Sequence, residues 1–165
     1  SLRNFSHLDE SELKRVDIHT GIEDALLILR HRLNQNINVI KRYESLPLIE
    51  CYPAQLNQVF MNILSNAVDE LLEHQELLNR EIVIQTKPIK DNQIELRIRD
   101  NGSGIPSEIK DKIFDPFFTT KPVGKGTGMG LAISYQIVQQ HHGKIEVYSD
   151  LGQGTEFVVN LPVYQ

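Results

Sequence analysis

The sequence predicts an α+β fold, a two-layer α/β sandwich with a mixed, mainly antiparallel sheet covered on one face by helices. Three observations carry this. Residues 81–86 with 93–99, and 144–149 with 155–161, alternate apolar and polar side chains around turn residues and read as two hairpins. Two other stretches repeat apolar residues at the helical period. No strand–helix–strand unit recurs, as a doubly wound parallel sheet would require.

The elements follow in order. Residues 1–12 place Leu2, Phe5 and Leu8 at helical spacing, too short a run to be stable alone. They read as the tail of a preceding helix, and the start at Ser1 without Met fits a piece of a longer protein. Residues 13–165 then form one domain, large enough for a real core. Residues 13–18 are expected as a first strand. Thr20 and Glu23 have the spacing of a capping box, opening a helix with Ile22, Ala25, Leu26, Leu29 and Leu33 on one stripe. Residues 38–43 and 48–52 are short strand candidates. Pro53 suits a first helical position, and Leu56, Val59, Phe60, Ile63, Ala67 and Leu71 form the stripe behind it. Asp91-Asn92 and Gly152-Gln153-Gly154 turn the two hairpins. Helix and loop fill the stretch between them, roughly 107–142. His141-His142-Gly143 ends its last helix, polar residues before a glycine being stop chemistry rather than a metal site.

Composition narrows the function. A net charge of −5 argues against a general nucleic-acid or membrane-surface binder. The single cysteine, Cys51, allows no internal disulfide and no cysteine-based metal site. There is no apolar run of transmembrane length and no signal-peptide pattern. A cytoplasmic domain making no membrane contact of its own is expected, compatible with a membrane-anchored parent.

The chemistry concentrates at four places. Gly124, Gly126, Gly128 and Gly130 alternate just before a helical pattern beginning at Leu131, which suits an anion: donors without Cβ atoms in front of a helix N-terminus. The register excludes the commoner glycine motifs. Met129 and Leu131 stand where a dinucleotide fingerprint needs its third glycine, and no P-loop spacing precedes Lys125. Asn62 and Asn66 lie one turn apart on a helix, with Asp69 and Glu73 continuing their face. Their amide oxygens suit Mg²⁺, which takes few protein ligands. Asp100 closes a strand just before the turn 102–104. Such a carboxylate can accept from an exocyclic amine, selecting adenine over guanine, or simply favour the turn. Finally, Phe114, Phe117 and Phe118 anchor or close a loop that leads through Lys121, a partner for a terminal phosphate, into the glycines.

Together these residues resemble the catalytic domain of two-component sensor histidine kinases. Asn62-Ile-Leu-Ser-Asn66-Ala resembles their N box, Asp100-Asn-Gly-Ser-Gly104-Ile the G1 box, 114–118 the F box, Gly126-Thr-Gly-Met129-Gly130-Leu-Ala the G2 box, and Gly152-Gln-Gly-Thr155-Glu-Phe the G3 element. Order and spacing agree from about residue 13 onward. The resemblance implies the Bergerat ATP-binding fold shared with gyrase-type ATPases, MutL repair proteins and heat-shock chaperones.

It further implies that Asn66 ligates Mg²⁺ with Asn62 assisting at the metal or phosphates, and that Asp100 binds adenine in a pocket of Gly102, Gly104, Ile105 and Thr155. Asp69, Glu70 and Phe114 would border the nucleotide. Gly126, Thr127, Gly128, Met129, Gly130 and Leu131 would surround its phosphates, under a lid at 114–127 carrying Lys121. Asp69 replaces a lysine common in the family, so phosphate charge falls to Lys121. The phosphoacceptor histidine is expected on dimerisation helices outside this chain, His7 not being that acceptor. A response regulator receiver domain is the expected partner downstream, and the fragment a monomer. ATP-hydrolysing relatives carry a glutamate where Asn62 stands, so transfer is expected over hydrolysis. Glu70, a rival base, is turned from Asn62 by about 80° of helical phase. The alternatives are an ATPase of the same superfamily and an anti-sigma-like serine kinase or binding switch.

Overall fold

The computed structural model describes residues 12–116 and 130–165. Strand β1 (Lys14–Val16) leads into helix α1 (Ile18–Ile28) and a single helical turn, α2 (Arg30–Leu33). Strands β2 (Ile37–Tyr43) and β3 (Ile49–Cys51) precede the long helix α3 (Pro53–Glu73). The hairpin β4 (Arg80–Ile89) and β5 (Gln93–Asp100) follows, then the short α4 (Ser107–Lys110) and helix α5 (Gly130–Gln140). A second hairpin, β6 (Lys144–Asp150) and β7 (Gly154–Pro162), completes the order.

Five strands form one sheet in the order β2-β4-β5-β7-β6, with only β2 and β4 parallel. Strands β1 and β3 pair antiparallel in a separate ribbon. Helix α3 packs against both α1 and α5. The period of two sends Ile82 and Ile84 of β4, Ile94, Leu96 and Ile98 of β5, and Phe157, Val159 and Leu161 of β7 into one core with the apolar stripes of the helices. Every residue expected on the two helical stripes is buried, although the first stripe runs past α1, with Leu29 as its C-cap and Leu33 in α2. The predicted two-layer α+β architecture therefore holds. On the opposite face Arg97 bridges Glu95 and Glu156 at 2.7 and 2.8 Å.

Two expectations at the N-terminal side need correction. The first strand stops at Val16, and Ile18 already belongs to α1. The capping box does not form: Asp17 is the N-cap, its carboxylate accepting from the His19 N–H at 2.9 Å. A short carboxylate one residue before the helix reaches the free N–H groups of the first turn, which leaves Thr20 inside the helix. Glu23 is then released to accept from Lys41 Nζ and Tyr43 OH, both at 2.7 Å.

Both hairpin turns use left-handed residues. Asp91 and Asn92 have φ of 65° and 52°, the pattern of a tight primed turn whose twist matches the strands. Gly152 and Gly154 serve the second hairpin.

Candidate nucleotide site

The core face of the sheet places Asp100 and Thr155 side by side. After Ile94, Leu96 and Ile98, the next inward position on β5 is Asp100, and after Leu161, Val159 and Phe157 the matching position on β7 is Thr155. The two are register partners. The same alternation that buries three apolar side chains thus buries a carboxylate, 6% exposed. Its oxygen Oδ1 accepts from Gly102 N–H at 2.9 Å. Burial pushes the Asp100 carboxyl up to about 6; Glu70 nearby adds to this, while N–H groups of Gly102 and Thr155 pull the other way. A buried carboxylate held by backbone donors suits a neutral hydrogen-bond donor such as an exocyclic amine.

The turn after Asp100 is bolted to the second hairpin. Ile105 N–H donates to Ser149 Oγ at 2.7 Å, Ser149 Oγ donates to the Gly154 carbonyl at 2.9 Å, and Gly152 N–H donates to the Ser103 carbonyl at 2.7 Å. Gly154, at φ 99°, approaches so closely that a Cβ would lie 2.0 Å from the Asp100 carbonyl. From below, Glu70 accepts from both the N–H and the hydroxyl of Ser103, at 3.0 and 2.6 Å. His74 bridges Glu70 and Glu76 at 3.1 and 2.9 Å, and these carboxylates raise its pKa, Glu76 foremost with Glu70 behind it. Glu70 therefore organises the turn beside Asp100, occupied by donors.

A second polar cluster lies where α3 meets α5. Asn62 Nδ2 donates to the Gly130 carbonyl at 2.9 Å and to Ser134 Oγ at 3.2 Å, and Ser134 Oγ donates to the same carbonyl at 2.9 Å. Among the described residues, none gives Gly130 a steric reason to be glycine. A Cβ there would sit 3.6 Å from Asn62 Cγ, an ordinary contact, and a helical glycine costs about 1 kcal/mol against alanine. Asn66 lies one turn on and is partly exposed. Asp69 is ion-paired with Arg32, whose other terminal nitrogen lies 3.4 Å from Ser65 Oγ. Phe114 packs on Tyr135 and Phe157, with ring centroids 5.6 and 6.3 Å away. Leu131 is partly buried against the core.

The structure thus brings Asp100, Gly102, Gly104, Ile105 and Thr155 together at one end and Asn62 with Gly130 at the other. Lys121, Phe117, Phe118, Gly126, Thr127, Gly128 and Met129 lie outside the described residues, as does His7. Motif reading missed Ser149, Ser134 and Arg32, lone polar residues whose partners are distant in sequence. The G1 match contains Asn101 but gives it no role; its side chain accepts from Glu81 N–H at 2.8 Å and donates to the Asn79 carbonyl.

The family model described as histidine kinase-, DNA gyrase B- and HSP90-like ATPase matches residues 51–165, well over half of the chain. The chain belongs to this family. Within it, the signal transduction histidine-protein kinase AtoS of Escherichia coli K12 is 36% identical, the alignment covering 98% of this chain and 26% of AtoS. The two-component sensor PprA of Pseudomonas aeruginosa is 34% identical over 96% of this chain and 18% of its own length. Sporulation kinase E of Bacillus subtilis is 37% identical over 74% of this chain and 16% of its own. The chain thus spans about a quarter or less of these relatives. Among solved structures, the catalytic domain of histidine kinase ThkA superposes with a TM-score of 0.79 at 26% identity, covering 93% of this chain and 97% of that one. Full-length ShkA in complex with AMPPNP also reaches 0.79 at 26% identity, over 92% of this chain and 31% of ShkA. The ATP-binding fold of the histidine kinases is therefore the fold of this chain.

Proposed function

We propose that this chain is the ATP-binding catalytic domain of a sensor histidine kinase. It transfers the γ-phosphoryl group of Mg²⁺–ATP to a histidine on dimerisation helices outside the chain, for relay to a response regulator receiver domain. Adenine is recognised by Asp100 within the turn at Gly102, Gly104 and Ile105. The phosphates lie along the G2 segment, residues 126–131, with Lys121 on the terminal one. Asn66 is the Mg²⁺ ligand, with Asn62 beside it. An amide set suits this ion, which keeps most of its waters and takes its other ligands from phosphates. Bound there, Mg²⁺ neutralises charge on the transferring group. The likeness to ShkA, solved with AMPPNP, supports the nucleotide assignment.

One observation carries the choice of transfer over hydrolysis. The residue one turn before Asn66 is Asn62, an amide committed to Gly130 and Ser134. An amide cannot take a proton from water. The rival, Glu70, is engaged with Ser103 and His74 at the base end. The chain then has positioning and charge to offer, which suffice once an imidazole arrives in line.

The test follows γ-labelled ATP with Mg²⁺, with and without the two-helix segment encoded upstream. Acid-labile label on that segment, little free phosphate from the domain alone, and loss of Mg²⁺–ATP binding in Asn66→Ala are expected. Phosphate release by the domain at ordinary ATPase rates would refute the reading in favour of an ATPase. Label on a serine would favour the switch-protein class.

A further inference from the structure

We propose that Ser134 is a positioning residue for the phosphate end, acting by fixing the side chain of Asn62. No motif includes it, and it touches neither metal nor nucleotide in the arrangement above. The inference rests on the nucleotide reading just given.

Ser134 lies one turn into α5, completely buried. Its hydroxyl proton is spent on the Gly130 carbonyl at 2.9 Å, so toward Asn62 the oxygen can only accept. The Gly130 carbonyl can likewise only accept. Asn62 therefore faces two acceptors, at 2.9 and 3.2 Å, and only its NH₂ group satisfies both. This decides the flip of the amide: Nδ2 is held on α5, and Oδ1 is turned away from it. That oxygen is the atom able to serve a cation or an ordered water. With alanine at 134, one of the two acceptors disappears and the Gly130 carbonyl alone holds the amide. The same three-way contact ties α3, which carries Asn66, to the first residue of α5. Asn62 and Ser134 thus hold the distance between the metal side and the phosphate side.

Calorimetry on the 165-residue chain separates this from a bulk structural role. The ligands are adenosine, and AMPPNP with Mg²⁺, each with wild type, Ser134→Ala, Asn62→Ala and the double variant. Losing one hydrogen bond of this kind is expected to weaken Mg²⁺–AMPPNP about five-fold. Adenosine, bound through the Asp100 end, should stay within two-fold. In the Asn62→Ala background Ser134→Ala should add no further loss. Ser134→Thr, keeping the hydroxyl, should recover most of the affinity. If Ser134→Thr packs poorly, the non-additivity still decides. Equal losses for adenosine and AMPPNP, or an undiminished Ser134→Ala effect without Asn62, would overturn the assignment. A wild type that binds neither ligand would overturn the nucleotide reading, and this one with it.

Discussion

Asp100 shows what burying a carboxylate costs. Its carboxyl is raised by burial to about 6, from an ordinary value near 3.8. The folded chain therefore holds that proton more tightly than the unfolded chain does. Stability from this group is highest below about pH 4, falls as pH rises to about 6, and stays low above it; the shift corresponds to roughly 3 kcal/mol. Asp100→Asn keeps an oxygen for the Gly102 N–H and removes the buried charge. The variant should be more stable than wild type by about 1–2 kcal/mol at pH 7.5, the gain vanishing toward pH 4. Urea unfolding at the two pH values checks this, and adenosine binding should be lost in parallel. A variant that is less stable at pH 7.5 would mean that the carboxylate stabilises the turn more than its burial costs.

At the scale of the element, the end of α5 distributes its roles unexpectedly. Gly143 N–H donates to the Val138 carbonyl at 2.9 Å and His142 N–H to the Gln139 carbonyl at 3.0 Å, the two bonds of a Schellman cap. The left-handed residue is His142, φ 59°, and not the glycine. Gly143 is needed for a different reason: a Cβ there would lie 2.4 Å from the Asn160 carbonyl on β7. His142→Gly should therefore stabilise by about 1 kcal/mol, since glycine takes that conformation without strain. Gly143→Ala should destabilise by about 2 kcal/mol through overpacking. Thermal unfolding of the two variants has opposite expected signs, and a stabilising Gly143→Ala would contradict the close approach.

At the scale of the whole molecule, His141 joins three distant parts. Its Nδ1 donates to the Ile137 carbonyl at 2.8 Å, and its Nε2 accepts from Tyr52 N–H at 3.1 Å, at the start of α3. Its carbonyl accepts from the side chain of Gln165 at 2.7 Å. The bond from Tyr52 N–H requires the neutral form, and burial lowers the pKa below 6.5 although the Ile137 carbonyl pulls the other way. Stability from this group is complete above about pH 6.5 and is lost as pH falls below it. Raised His74 has the opposite sign, contributing below 6.5 and losing its contribution as pH rises past its folded value. Wild type should therefore lose stability between pH 6.5 and 5 relative to a His141→Gln variant, whose own stability is lower at pH 7.5. Parallel pH profiles for the two would remove His141 from the account.

Local patterning was enough for much of this. Periods of 2 and 3.6 located the hairpins and the buried stripes of α1 and α3, because burial of one face is a property that neighbours in sequence share. The motif glycines and asparagines announced a nucleotide because their chemistry is local too. The capping of α1 was misread because Thr20 with Glu23 matched the local pattern, whereas Asp17, placed inside the expected strand, is the residue that caps. The partners that settled such choices lay far along the chain. Glu23 was drawn to Lys41 and Tyr43 on β2, Asp69 to Arg32, Glu70 to Ser103, and Asn62 to Ser134. Hydrogen bonds and close approaches between residues tens of positions apart exist only once the chain has folded. The fold and the ligand class could thus be read from adjacent residues, whereas the orientation of each amide and carboxylate awaited the packing of α3 against α5 and of one hairpin against the other.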